Sequence, residues 1–264
     1  MEVHHHPQVG HKPKPWKEYL LEGLMIFLAV MMGFFAENLR EHISESNREN
    51  EFAKALYSEL LDDSTMAATK LTLRQDKIKD MDYVYAYIRD SSLTNLPKNF
   101  YPAFTTSFYL MNTYAFEPKD GILSQLRNSG SLRYFKSVAL QKLLGDISVC
   151  INNVRNRNEQ EYQYFASPVK PFLLKYYDFS WLDQLRREDT HYNSLEVINA
   201  YRQNTRVIKT EILNLSSFDK KEASNMILFF KQMAMSTQTL QMHNYVATNH
   251  QILEELRNTY SMVR

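Results

Sequence analysis

From Gly23 to Ala36 the chain has no charged residue and hardly a polar one, and traced back to Tyr19 the apolar run is broken only by Glu22. A helix rises about 1.5 Å per residue, so such a run covers the ~30 Å hydrocarbon core of a bilayer. Trp16 and Tyr19 flank it on one side and Phe34 and Phe35 on the other, as interfacial aromatic belts do. A cleaved signal peptide wants small residues at the last and third-last positions before the cut. With Ala36 last, Phe34 falls third-last, and the helical pattern runs on past it. A buried helix of a soluble protein is the other alternative. The expectation is an uncleaved anchor and its flanks over residues 16–42, with the lipid bilayer as partner.

Beyond the anchor the pattern is polar and helical. Mean hydropathy is −0.46 while 44% of residues are apolar, enough for a packed core under a wet surface. The six glycines and eight prolines are bunched, with none between Gly33 and Pro97 and none from Phe172 to Arg264. Sheets need turns, and turns draw on these residues. The prediction is an all-α fold in which one N-terminal transmembrane helix continues into a long-helix antiparallel bundle. A formal net charge of +1 with dispersed basic residues argues against a nucleic-acid partner. The lone Cys150 excludes an intrachain disulfide and a cysteine-based zinc site.

Residues 1–15 are rich in His, Pro and Lys, which predicts a flexible tail; residues 43–264 form the helical domain. Apolar residues recur at Phe52, Leu56, Leu60, Ala67, Leu71, Ile78, Met81, Tyr85 and Ile88, spacings of three, four and seven that define one buried stripe. The polar stretch Glu45–Asn50 predicts a bend or a solvated neck; the charges of Glu37–Glu51 alternate at three- and four-residue spacing, as in a solvated helix laced with weak ion pairs or the neck of a parallel coiled coil. Helices follow near 103–116, 122–128, 132–165 and 194–213, with Asn128-Ser129-Gly130 as a C-terminal cap and a kink at Pro168 and Pro171. Residues 172–185 are aromatic-rich, partly helical, with a break at 178–180, and form the fourth wall of the bundle. Asp219 and Glu222 make a capping box for a final helix to Tyr260, whose core band comprises Ile227, Phe230, Ala234, Leu240, Tyr245, Ile252 and Leu256.

Few residues suggest chemistry. His4, His5, His6 and His11 form the one metal-like cluster, able to chelate a transition metal weakly as imidazoles do, and no other cofactor is expected. Glu22 is costly in a lipid-facing position; it either reaches the headgroups beside Lys17 and Glu18, pairs with another membrane protein, or lines an oligomeric pore. Gly23 and the small-xxx-small pair Ala29 and Gly33 let anchors approach closely, which favours a homo-oligomer or a membrane-protein complex. His243 and His250 share a face without a third ligand. Glu59, Asp62 and Asp63 suggest a solvated face, although Asp63-Ser64-Thr65 matches a bacterial O-glycosylation acceptor. No phosphate loop, zinc-protease helix or nucleophile elbow occurs, so no catalytic residue is named and no enzyme is expected.

The opening HHHP…HKPKPWKEYLLEGLMIFLAVMMGFFAENLREH, with KDGILSQLRNSGSLRYF from Lys119 to Phe135, resembles a family of single-pass membrane proteins of Gram-negative bacteria whose domain has no assigned function. The resemblance implies an anchor plus a helical domain in the inner membrane and no enzyme activity. Lys12, Lys14 and Lys17 before the anchor, against Arg40 and Arg48 after it, lean toward a cytoplasmic N-terminus and a periplasmic domain. The expected function is a membrane-anchored scaffold or interaction protein that self-associates through anchor and neck. The alternatives are an extracytoplasmic ligand-sensing bundle acting through a partner, or a subunit of an oligomeric channel or transport complex.

Overall fold

The computed structural model describes residues 15–188, 193–260 and 262. Among them every regular element is helical. His4, His5, His6 and His11 lie outside the described residues, as does His191. The chain divides into two units, Met1–Glu51 and Phe52–Arg264. Helix α1 (Trp16–Asp90) contributes to both and is helical throughout Glu45–Asn50, where a bend or a solvated neck was expected; Ser46, Asn47, Arg48 and Asn50 are exposed. That stretch contains neither Gly nor Pro, the residues that most often kink a helix. In the first unit α1 carries an apolar window of mean hydropathy 2.0, none of it buried.

The second unit is built on three long helices: α1 from Phe52 onward, α5, and the pair α9 and α10. Short helices fill the connections: α2 (Phe100–Phe108), α3 (Met111–Tyr114) and α4 (Gly121–Asn128) come before α5 (Val138–Tyr164). After it come α6 (Lys170–Tyr176), α7 (Phe179–Glu188) and α8 (Ser194–Gln203), then α9 (Lys220–Ser236) and α10 (His243–Tyr260). Hydrogen bonds fix the helix directions. Along α5, Ser137 meets Glu255, Cys150 meets Thr248, Arg157 meets Thr237 and Tyr164 meets Met226. Along α1, Tyr57 meets Arg257, Asp63 meets Tyr245 and Asp82 meets Lys231. Both α1 and α5 therefore run antiparallel to α9 and α10.

The predicted stripe on α1 faces inward, with Leu56, Leu60, Ala67, Met81 and Ile88 buried. The core it serves has two parts. Ala53 to Ala67 pack with α4, α5 and α10. Met81 to Ile88 pack with α2, α6, α7, α8 and the start of α9. There Phe104 stacks on Phe100 and Tyr177 and meets Phe108 and Phe172 edge to face, and Trp181 meets Tyr101 edge to face.

Four predicted helices end or break differently. The segment expected as one helix over 103–116 is two, α2 and α3, parted at Leu110 (φ −85°, ψ 59°). Residues 131–134 form a 3₁₀ turn, Phe135 drops into the core, and the Ser137 hydroxyl accepts from the Leu140 amide at 3.1 Å, so α5 starts only at Val138. Helix α8 stops at Gln203 rather than continuing to Leu213. Its successor is held extended: Tyr201 Oη accepts from the Ile208 amide (3.1 Å), and the Leu213 amide donates to the Tyr176 carbonyl (2.9 Å). The final helix begins where expected, with Asp219 Oδ1 accepting from the amides of Lys221 (2.7 Å) and Glu222 (3.1 Å). A π-helical turn at Thr237–Met242 then interrupts it. Buried Thr237 and Met242 are five residues apart instead of four, so Leu240, expected in the core band, is rotated out to 54% exposure. A second π turn, Phe165–Val169, absorbs Pro168, which has no amide to donate.

The Asn128-Ser129-Gly130 turn is as predicted, with Gly130 in the left-handed region at φ +68°. A Cβ there meets no atom within 4 Å, so its backbone conformation alone carries the cost. Gly130→Ala should lower stability by about 1–2 kcal/mol, read as a drop in the midpoint of chemical denaturation.

Candidate functional site

On α1 of the first unit, Glu22, Gly23, Ala29 and Gly33 are all exposed. A Cβ at Gly23 or Gly33 would meet nothing within 4 Å. Ala29 and Gly33, four residues apart, share a helix face.

In the second unit the acidic trio on α1 is only partly a solvated face: Asp62 is exposed, Glu59 half-buried and Asp63 buried. Asp63 is 1% exposed; its Oδ2 accepts from the Lys119 amide (2.9 Å) and the Tyr245 hydroxyl (2.6 Å). Burial, then the Asp63 bond itself, push the Tyr245 hydroxyl pKa up, so it stays protonated and donates. Glu59 accepts from the Ile122 amide (3.2 Å) at the first turn of α4, where a carboxylate complements the helix dipole. Asp62 pairs with the Lys119 ammonium at 3.0 Å. Opposite them, Arg155 of α5 binds Asp120 at 2.9 and 3.1 Å. At Gly121 a Cβ would meet Glu59 Oε2 at 3.2 Å, so a larger residue there would push the carboxylate back by a few tenths of an ångström. The Lys119–Gly121 turn is therefore clamped between α1 and α5, and the acceptor-like Asp63 is consumed by it.

Between the two apolar cores lies a layer of buried charge. Arg74 of α1 forms a two-pronged pair with Glu161 of α5, Nη1–Oε1 2.9 Å and Nη2–Oε2 3.1 Å, and its Nε donates to the Tyr114 carbonyl at 3.0 Å. Both side chains are almost wholly buried. Thr237, at the start of the π turn Thr237–Met242, donates to Glu161. Burial pushes the Glu161 carboxyl up, but Arg74, Lys77 and Thr237 together hold it below its ordinary value. One turn along α1, Lys77 Nζ sits 4.7 Å from the Tyr114 ring centre, 4.3 Å from that of Phe230 and 3.7 Å from Met111 Sδ. Burial pushes its pKa down to about 7, against the pull of Glu161 and with the push of Arg74. A depressed lysine is what imine-forming enzymes use, but Lys77 is 2% exposed and sealed by those rings. Its role is structural. Lys70, one turn earlier, donates to the Thr113 carbonyl at 2.6 Å, so three cations on one face of α1 hold α3.

Beside this layer, a groove of about 700 Å³ opens between α5 and α9. Tyr164, Pro168, Phe229 and Met233 form its apolar wall; Arg157, Gln160, Gln163 and Gln232 supply polar groups. Arg157 Nε donates to Thr237 Oγ1 at 3.3 Å, which joins the groove to the Arg74–Glu161 pair. A π turn adjoins it on each wall, a feature common at functional sites. None of these residues stood out in the sequence except Pro168. One signal was present: the seven-residue gaps in the α1 stripe are filled by Asp63 (Leu60 to Ala67) and Arg74 (Leu71 to Ile78). Exposed His243 and His250 bring no third ligand, and among the described residues no three His, Cys, Asp or Glu side chains converge as a metal site requires.

Removing Glu161 strands a buried guanidinium, so Glu161→Ala should cost about 3–5 kcal/mol in chemical denaturation. Lys77 gives a second signature. Its folded pKa, about 7, lies below the ordinary 10.5, so between those values the unfolded chain binds the extra proton and stability rises with pH. Below about pH 7 the penalty is complete. Lys77→Met should raise stability at neutral pH and flatten the pH dependence across that window, followed by denaturation at a series of pH values.

No family model matches the chain, and no curated protein and no solved structure is similar to it. The resemblance carried by the opening segment and by Lys119–Phe135 gains no family assignment. The sequence and fold together establish an all-helical protein with one long apolar N-terminal helix, a candidate membrane span or signal sequence.

Proposed function

We propose that the chain is a membrane-tethered helical binding protein, anchored in a bacterial inner membrane by α1, with residues 52–264 as its interaction module. One observation supports this above all: the apolar run of α1 leaves large side chains open, with Leu21 59%, Ile26 66% and Phe34 67% exposed. Lipid satisfies such a surface where protein does not. Ala29 and Gly33 provide a close-approach face for self-association. The count of Lys12, Lys14 and Lys17 against Arg40 and Arg48 favours a cytoplasmic N-terminus and a periplasmic module. The proposed role is binding rather than catalysis. A second reading, a ligand sensor that acts through a partner, is favoured by the groove beside Arg157, because polar and apolar groups converge there at the scale of a small molecule.

Full-length protein should remain with the membrane pellet through an alkaline carbonate wash, with Trp16 retained at the N-terminal side by mass. Recovery of the intact chain in the supernatant, or of a chain shortened at Ala36, defeats the anchor. Ala29→Arg should weaken retention, since a mid-span Arg costs about 2.5–3.5 kcal/mol on insertion scales. Self-association through the anchor predicts that Gly33→Ile lowers the native mass in detergent toward the monomer.

A further inference from the structure

We propose that the groove between α5 and α9 binds a small amphipathic anion, a carboxylate or sulfonate on an aromatic or otherwise apolar body, with Arg157 reading the acidic group. This deepens the sensing reading and rests on it. The volume, about 700 Å³, falls among small-molecule sites, which span roughly 300–1,000 Å³. Arg157 is the one charged residue among the described residues that line it. A guanidinium has five N–H groups. Those of Arg157 are directed at neutral acceptors: Nε to Thr237 Oγ1, Nη1 to Gln160 Oε1 at 2.8 Å, and Nη2 to the Met233 carbonyl at a weak 3.5 Å. No carboxylate among the described residues neutralises it, unlike Arg74 and Arg155, and two N–H groups remain for an incoming anion.

The site is built rather than incidental. Thr237 has one hydroxyl proton, which goes to the Glu161 carboxylate as the charge-assisted choice. Its oxygen is thereby left to accept from Arg157, and Glu161 is itself locked by Arg74. The guanidinium is thus positioned before any ligand arrives, which lowers the ordering cost of binding. The other end of the groove offers stacking surface. Tyr164 and Phe229 lie 4.8 Å apart, and the Phe229 ring is 55% exposed, an aromatic face open to water. A cationic ligand would meet Arg157, and a purely polar one would leave those rings wet. The side chains of Gln232 and Ser236, on the α9 wall, make no hydrogen bond to another described residue and can serve a polar rim on the ligand.

The test is hydrogen–deuterium exchange on the full chain in lipid nanodiscs, with 2-naphthoate as probe and its neutral isostere 2-naphthamide as control. The naphthoate should slow exchange saturably in residues 157–168 and 229–237, at concentrations about tenfold or more below those the amide needs. Arg157→Gln should erase that difference and Arg157→Lys should restore part of it; Arg157 is half-exposed, and the Lys variant gives the same readout should the Gln variant fold poorly. Equal protection by both probes overturns the anion assignment and leaves the groove a ligand site. Absence of protection there by either probe at millimolar concentration, or protection confined to residues 16–43, overturns the assignment and the sensing reading together.

Discussion

The Arg74–Glu161 pair joins helices α1 and α5 at the level between the two apolar cores. Apolar helix faces can slip past one another by a turn at modest cost, because one leucine stands in for the next. A buried two-pronged ion pair cannot, since slippage leaves two charges in a medium that will not solvate them. Thr237 adds the third long helix to the same node through Glu161, and the Tyr114 carbonyl adds the connection. The alignment of three helices, and of the two cores on either side, is set by four side-chain and main-chain groups.

The π turn at Thr237 belongs to the same node. Holding Thr237 against Glu161 while keeping α10 in contact with α5 requires one residue more than an α-helix supplies, and Met242 five positions on is the buried consequence. The turn at Phe165–Val169 is paired with Pro168 on the facing wall. Where two helices both widen, their side chains cannot interdigitate fully, and the groove lies there. Arg157 reaches the node from the groove through Thr237, while Arg74 reaches it from α1, the helix that also carries the apolar run. Groove and α1 are thus connected by hydrogen bonds within the second unit, as the sensing reading requires.

Much of the fold was legible because helical periodicity and helix ends are local. The α1 stripe, the Gly130 cap, the Asp219 cap and the break before Phe179 follow from residues within a turn or two of each other. The extension of the middle helix to Leu213 failed because the Tyr201 hydroxyl and the Asn204 side chain take up amides of the segment locally and the Tyr176 carbonyl of α6 takes up that of Leu213. Leu240 failed because a periodicity of 3.6 was carried across a π turn. The candidate site was almost wholly illegible. Glu161 ends the polar run Arg155–Glu161 and reads as one of its surface charges, as Lys77 does on α1, while Asp63 and Arg74 were marked only by falling in the gaps of the α1 stripe.

The sequence by itself determined the all-helical class, the apolar N-terminal rod and the face that α1 buries, since these depend on spacing and on missing turn formers. The tertiary structure alone decided which charges went inside. A carboxylate or guanidinium is tolerated in a core only when its partner is delivered from a segment dozens of residues away, and that pairing is a property of helix alignment, not of any local pattern. For the same reason the groove beside Arg157 exists only once α5 and α9 are side by side.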